Sequence, residues 1–408
     1  MRIGIDARFL THPQRGGFKT YTESLVSALA ELDRENEYVL YVDRLPDGKS
    51  RVPRQPNFST RIVPGLLPIV GMPWREQVLL AREAKRNRLD LFHSPSLSAP
   101  LQLGCPLVVT IHDMLWLFPH EYSNGISRPV RRRLMEWYYR LIPRLAARRA
   151  ALVLTVSEAS KASIVRHLGL PPNRIIVTYE AASPAYRRLD GVEQIRTVRR
   201  KYELASDFIL CHGSADPRKN LTTLVEAFAL LPGDLRSRYK LAIVWTHSLL
   251  ESRVSEGIEK LGLADQVKFL KDVADEDMVA LYNAATLFVF PSRQEGFGLP
   301  LLEAMACATP VVAANNSSIP EVVGDAALLF NAEDAQDMAA KISSVLADKA
   351  IQASLRQKGL ERAGYFSWDK CASQTIAAYH QALDLARVTG ATKKQPGTAR
   401  SGERGGNL

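Results

Sequence analysis

Two glutamates eight positions apart, Glu295 and Glu303, bracket the run Gly296-Phe297-Gly298-Leu299-Pro300-Leu301-Leu302, directly after the apolar stretch TLFVFP. The glycines permit a tight loop whose amides can approach a ligand, and Pro300 suits the first turn of a helix LLEAMA. Such a loop is an anion-binding helix N-terminus to which Phe297, Gly298 and Leu299 contribute. Glu303, one turn into the helix, is placed to accept two hydrogen bonds from ribose hydroxyls, while Glu295 at the loop mouth stands nearer any reacting group. The bland alternative is that Glu303 complements the helix dipole and Glu295 is solvated. The loop, the pair and the preceding strand together favour the functional reading.

A second constellation, Gly213-x-x-Asp216-Pro217-Arg218-Lys219-Asn220, follows the strand candidate DFILCHG and precedes a helix. Arg218 offers phosphate oxygens a planar fork and Lys219 a mobile point charge, a pair suited to a diphosphate whose charge grows as it leaves. Elsewhere such a pair would be ordinary surface; at a strand's carboxyl end it faces a ligand crevice. Gly16 and Gly17 follow the first strand, so their amides can lie against a phosphate or form a turn that only the fold requires. His112, before Asp113 at the end of LVVTI, reads as a sugar contact or proton acceptor, or as a structural histidine. His93, after LDLF, leaves both readings level. Asp275-Glu276-Asp277 looks like a metal-binding run, but it precedes MVALYNAA and is read as capping a helix and charging its first turn. No metal site is assigned, and leaving-group charge then falls to Arg218, Lys219 and the loop amides.

The elements that must position these residues alternate. RIGIDA, EYVLYV, LVVTIHD, ALVLTVS and RIIVTYEA read as strands, with helical spacing over GFKTYTESLVSALAEL and from Ser157 through KASIVRHLGL. The pattern restarts with DFILCHG, LTTLVEAFALL, KLAIVWT, QVKFL, TLFVFP and TPVVAAN. The 408 residues suffice for two or three domains at roughly 100 to 200 residues each, and two α/β halves imply two Rossmann-like domains facing a cleft. The expected division is 1–183 for a first domain, 184–205 for a linker, and 206–365 for a second domain. A C-terminal helix, 366–387, would pack back toward the first domain, and 388–408 would be a disordered basic tail.

The 46% hydrophobic and 24% charged fractions exclude a disordered bulk. The net charge of +10 is local. Arg128, Arg131, Arg132, Arg133, Arg140, Arg144, Arg148 and Arg149 stand against Glu136 in 128–149, and Lys393, Lys394, Arg400 and Arg404 against Glu403 in the tail. No nucleic-acid reading element accompanies them, so no nucleic acid is expected. Cys105, Cys211, Cys307 and Cys371 fit neither a zinc pattern nor a compact disulfide framework and are read as reduced and structural. No apolar run approaches the ~20 residues of a membrane span. Charges at Arg2, Asp6 and Arg8 argue against a signal peptide, so a cytoplasmic protein is expected.

With these motifs in order, the chain resembles the retaining GT-B glycosyltransferases of family GT4. The resemblance rests on the E-x7-E element, on Gly213 to Asn220 and on Ser318-Ile-Pro-Glu-Val-Val-Gly-Asp-Ala-Ala. Gly4-Ile-Asp-Ala-Arg8 with Gly16-Gly17, and Trp74-Arg-Glu-Gln77, are similar more narrowly to its bacterial mannosyltransferase-like branch. It covers nearly everything except the tail. It implies that Glu295 lies by the donor sugar, Glu303 holds the ribose, the glycine loop reaches the donor across the cleft, and His112 lies close to the sugar. It also implies hexosyl transfer with retention, without a cofactor, from a nucleoside diphosphate sugar (GDP-mannose first, UDP-glucose or another hexose donor next) to a saccharide or lipid-linked saccharide.

Two other classes stay in view. A nicotinamide-dependent oxidoreductase fits two Rossmann-like halves but lacks the Gly-x-Gly-x-x-Gly fingerprint. A nucleic-acid or membrane-surface binder would use the arginine cluster. From Leu134, the residues Trp137, Tyr138, Leu141 and Leu145 recur at three and four, so residues 128–149 form an amphipathic helix despite Pro143. Its apolar face packs on the first domain or meets the inner face of an anionic membrane, and the two readings stand even.

Overall fold

The computed structural model describes residues 1–13, 16–48, 50–65, 71–117, 130–214, 216–245 and 252–392. Thirteen short strands are present among them. β1 (Arg2–Asp6), β2 (Glu37–Val42), β3 (Phe58–Ile62), β4 (Leu91–Ser94), β5 (Leu107–Thr110), β6 (Leu152–Thr155) and β7 (Ile175–Val177) form one parallel sheet in the order β3-β2-β1-β4-β5-β6-β7. β8 (Asp207–Gly213), β9 (Tyr239–Trp245), β10 (Val267–Lys271), β11 (Leu287–Phe290), β12 (Val311–Ala314) and β13 (Ala327–Phe330) form the second, also parallel, in the order β10-β9-β8-β11-β12-β13. The central strands are buried on both faces, so their sequences are apolar runs without alternation, as in LVVT, LVLT, LFVF and VVAA.

The strand order reverses between β1 and β4 in the first sheet and between β8 and β11 in the second. Ligands of such sheets bind outside the carboxyl ends at these points. Gly16-Gly17 follow β1, His93 lies on β4, Arg218-Lys219 follow β8 and Glu295 follows β11, so four motifs read from sequence flank the two switch points.

Local signals hold where they were strong. Ser157 caps the helix Glu158–Leu168, its Oγ accepting the Ser160 N–H at 3.0 Å, and Gly169 closes it at φ +66°. The helix Trp368–Thr392 packs against Gly17–Leu32 of the first half, with the Tyr379 hydroxyl hydrogen-bonded to His93 Nδ1 at 2.7 Å. His93 is fully enclosed, its Nε2 2.9 Å from Thr110 Oγ1, and is a packing residue here. That helix runs five residues past the expected boundary at 387, to Thr392; the rest of the expected tail lies outside the described residues.

Three expectations are corrected. Residues 184–205 are not bare linker: Val192–Lys201 is a helix that buries Val198 against the helix Asp275–Ala284, with Leu189 N–H on Asn283 Oδ1 at 2.9 Å. The acids of 275–277 occupy a first turn, but Ala274 is the N-cap and no side chain caps it; Asp277 instead accepts from Lys201 and from Tyr202 OH at 2.7 Å. In the helix Val130–Arg149 the expected apolar stripe divides. Trp137 is 67% exposed, while Ile142, Ala146 and Ala147 make the buried side. Tyr138 turns inward and donates to Glu76 Oε1 at 2.7 Å. Periodicity located the helix but not the face the sheet covers. Residues 128 and 129 and the side chains of Arg131, Arg132 and Arg133 lie outside what the structure describes.

Candidate active site

Two loops of the second half meet at Glu295. The first, after β8, is held by Asp216, whose Oδ1 accepts the Arg218 N–H at 2.9 Å. The second, after β11, is tied to it by the Arg293 N–H on the Arg218 carbonyl at 2.8 Å. Lys219 Nζ reaches Glu295 Oε1 at 2.7 Å and Arg218 Nη1 stands 3.8 Å from Oε2. Arg218 also donates to Asp216 Oδ2 from Nε and Nη2, both at 3.2 Å, and to the Gln294 carbonyl at 3.3 Å. Burial works against a charge on Glu295, but Lys219 and Arg218 outweigh it and hold its carboxyl below the usual range. Glu295 is therefore an anion fixed between two cations.

Glu303 has the opposite environment. It lies on the helix Leu299–Ala306, which opens at Gly298 with φ +111°, a conformation that favours glycine. Burial pushes its carboxyl up to about 7, and its main polar contact is the Tyr282 hydroxyl, 3.0 Å from Oε2. The Tyr282 oxygen also lies 3.1 Å from His212 Nε2. A carboxyl so placed gains from donors that a ligand brings.

The other residues expected to bind a donor divide into contacts and supports. Asn220, at φ +56°, sends its amide to the carbonyls of Pro291 (3.2 Å) and Ala332 (2.7 Å) and accepts from Thr223 Oγ1 (2.8 Å), so it braces the loop. Phe297 is buried between Tyr179 and Phe366, at centroid distances of 6.2 and 5.6 Å. Gly213 ends β8 where an added β-carbon would stand 2.6 Å from Leu221 and 2.7 Å from Ile243. Leu299 begins the helix, half-buried. Gly16 (φ +144°) and Gly17 open the helix Gly17–Leu32. They line a cavity of about 460 Å³ in the first half with Arg8, Phe9, Trp116 and Tyr139.

His112 joins the halves through its main chain. Its carbonyl accepts from Ser160 Oγ at 2.8 Å and packs on Gly296, and Ser157 Oγ donates to the Gly296 carbonyl at 2.7 Å. Its ring is packed by Tyr21 and Phe18 and has both nitrogens engaged, with Glu180 Oε1 and the Pro95 carbonyl, each at 3.2 Å. Asp113, passed over in the sequence, is beside it: burial raises its carboxyl despite the Leu115 N–H and the nearby Arg218. Ser157, Ser160 and Glu180 were likewise missed, since their partners lie far away in the chain.

Trp74-Arg75-Glu76-Gln77 forms a strut beneath the cavity. Fully buried Arg75 donates from Nη2 to Asp6 Oδ1 at 2.9 Å, and Glu76 accepts from Ser98 and Tyr138. Arg8 lies 3.5 Å from Asp6, 3.4 Å from Glu76 and donates to Ser96 at 2.9 Å. Burial opposes the charge on Asp6, but Arg75 and Arg8 keep its carboxyl low. The four cysteines are free thiols whose burial pushes each up to about 12.

Two parallel sheets, the second of which gathers an anion, two cations and a helix N-terminus beside its carboxyl ends, have the architecture of a GT-B glycosyltransferase. The model of glycosyl transferases group 1 matches residues 194–362 and that of glycosyltransferase family 4 matches residues 15–185. The O-antigen chain mannosyltransferase B of Escherichia coli is 36% identical over 71% of this chain and 74% of its own. The serotype-specific mannosyltransferase WbdA of E. coli is 32% identical over 72% of this chain but only 35% of its own, so the matched region is about a third of that protein. The chain belongs to glycosyltransferase family 4. Among solved structures, sucrose-phosphate synthase from Thermosynechococcus elongatus superposes with a TM-score of 0.72 at 22% identity, covering 94% of this chain and 99% of that one. Anabaena Alr3699/HepE in complex with UDP and glucose gives 0.70 at 21%, covering 92% and 98%, and both show the same fold.

Proposed function

We propose that this glycosyltransferase moves a mannosyl unit, with retention, from GDP-mannose to a saccharide or lipid-linked saccharide. The observation that carries the reading is the Glu295 carboxylate held 2.7 Å from Lys219 and 3.8 Å from Arg218 at the cleft, with Glu303 one helical turn beyond. Mannose is favoured over glucose by the names of the E. coli relatives, and a UDP-hexose is the next donor. The Rossmann-like halves lack the dinucleotide fingerprint, so hydride transfer has no support beyond the fold.

In this reading the diphosphate meets Arg218, Lys219 and the amides at the start of Leu299–Ala306, and the ribose meets Glu303. No side chain is given the part of a nucleophile in this reading. The bond from the anomeric carbon to the phosphate oxygen breaks while the acceptor oxygen bonds the same face, and the acceptor proton passes to the departing phosphate oxygen. Arg218 and Lys219 take up the growing charge without a metal, and catalysis rests on positioning and electrostatics. Activity in EDTA tests this point: a strict Mg²⁺ requirement overturns it.

The acceptor fits the first-half cavity. Arg8 there is balanced by Asp6 and Glu76, and Phe9, Trp116 and Tyr139 line the wall, which suits a neutral sugar ring with apolar faces. Thermal melting with a panel of sugar nucleotides tests the donor, because a ligand of the folded state raises the melting temperature. Stabilisation by GDP-mannose is expected. A selective response to UDP-glucose reassigns the donor, and a response to NADH alone refutes glycosyl transfer.

No helix among the described residues is long and apolar enough to cross a membrane. Exposed Trp137 beside Arg144 and Arg148 supports peripheral contact with an anionic bilayer, where a lipid-linked acceptor would be met.

A further inference from the structure

One carboxylate of the second half grips the first half directly. Glu321, on the short helix Ile319–Val323, accepts three hydrogen bonds. The Glu158 N–H lies 2.7 Å from Oε1, the Ala159 N–H 3.1 Å from Oε2, and the Tyr179 hydroxyl 2.8 Å from Oε1. All three donors belong to the first half. The first turn of a helix has N–H groups with no partner inside it and carries the positive end of the dipole, so a carboxylate there answers both. Ser157 serves the Ser160 N–H from within the helix, and Glu321 serves two more from across the interface.

The same short segment seats the Glu295 loop. Ser317 Oγ accepts the Glu295 N–H at 3.1 Å, and Ser318 Oγ lies 3.1 Å from the Glu295 carbonyl and 2.9 Å from that of Phe297. Arg362 then locks the helix onto the second half by donating to the carbonyls of Glu321 and of Val322, the latter at 2.8 Å. Residues 317–321 therefore carry both the seat of Glu295 and the hold on the opposite half. A change in one is transmitted to the other through a braced backbone.

We propose that Glu321 is a positioning residue: its hold on the N-terminus of the helix Glu158–Leu168 sets the angle between the halves at which Gly296 meets His112 and Glu295 stands at the reaction site. The hold itself follows from the contacts; its effect on turnover rests on the glycosyl-transfer reading above.

The test uses the full chain with Glu321→Ala and Glu321→Gln. Amide hydrogen exchange at Glu158 and Ala159 and small-angle scattering with GDP or UDP present need no reaction; kinetics with the active sugar nucleotide adds kcat and KM. In Glu321→Ala the two amides are expected to exchange roughly tenfold faster or more, with a larger radius of gyration. Its kcat is expected to fall roughly tenfold while the donor KM moves by less than about threefold. Glu321→Gln, which keeps one acceptor oxygen, restores part of the protection and of kcat. Unchanged exchange and scattering in Glu321→Ala overturn the hold, and loosened halves with normal kcat overturn the positioning role. If Glu321→Ala fails to fold by circular dichroism, Glu321→Gln carries the same comparison. A wild-type protein with no turnover counts against glycosyl transfer and leaves exchange and scattering to decide the hold.

Discussion

The carbonyl oxygen of His112 stands 2.5 Å from the point where a β-carbon on Gly296 would lie, and its carbonyl carbon 3.0 Å away. The obstacle is backbone, which cannot swing aside as a side chain can, so the loop carrying Glu295 comes this close to His112 only because residue 296 has no side chain. Gly296→Ala must push the halves apart or distort the loop. Turnover is expected to fall about tenfold or more, since a shift of ~1 Å at a reacting centre is enough for that. In the proposed reading the nucleotide meets Glu303 rather than residue 296, so GDP or UDP affinity should stay within about threefold. Equal loss of nucleotide binding and turnover would refute the argument.

Glu295 and Glu303 are expected to fail differently when replaced by alanine. Glu303→Ala removes the acceptor proposed for the ribose and should weaken the bare diphosphate, read by calorimetry. Glu295→Ala leaves Lys219 without its 2.7 Å partner and should lower kcat more than diphosphate affinity. Lys219→Ala should lower turnover at least ~10-fold, because the leaving charge is then undercompensated. Normal binding and turnover in all three would remove this site from consideration.

The places of Arg218 and Lys219 after β8, of Glu295 after β11 and of Glu303 in the helix that follows were legible in sequence, because strand, loop and helix succeed one another within a few residues. Partners distant in sequence were not. Glu180 on the His112 ring, Ser157 and Ser160 on Gly296, and Glu321 on Glu158 span 68, 139, 136 and 163 residues, and no local pattern encodes such pairings. The strand β3 was missed because it is an edge strand, half-exposed, without an apolar run. Asn220 looked like a ligand residue from its place beside Lys219, yet its left-handed backbone and buried amide make it a brace.

Nucleotide binding should depend on pH through Glu303. Burial raises its carboxyl from an ordinary 4.5 to about 7. In the ligand-free protein the folded state holds this proton more tightly than the unfolded chain, so the group's stabilising contribution is present at low pH and is lost as pH rises through about 7. If ribose hydroxyls donate to the ionised form, as proposed above, binding expels the proton, and affinity for GDP or UDP should fall by up to about tenfold per pH unit below the pKa. The melting-temperature gain from GDP or UDP should therefore grow as pH is raised from about 6 to 8. Glu303→Gln should flatten the profile. A wild-type profile with no rise over that range would show that the carboxyl does not meet the nucleotide.

The last prediction concerns the exposed face of Val130–Arg149. At 100° per residue, Trp137, Arg144 and Arg148 share one side of the helix, and all three are exposed. The buried side, Ile142, Ala146 and Ala147, already satisfies the first-half core, so exposure of an indole here is not forced by packing. Trp favours the polar boundary of a bilayer, and each nearby Arg adds about 1 kcal/mol at an anionic leaflet, so one aromatic and two cations suffice for weak, reversible contact. The protein should sediment with anionic vesicles, less with zwitterionic ones, and the difference should shrink as salt is raised. Trp137→Ala with Arg144→Glu and Arg148→Glu should abolish the sedimentation while leaving GDP or UDP binding intact, because this face lies outside the Glu295 cluster. Sedimentation equal with both vesicle types, or absent with either, would leave that face merely solvated and direct the search toward an acceptor free in solution.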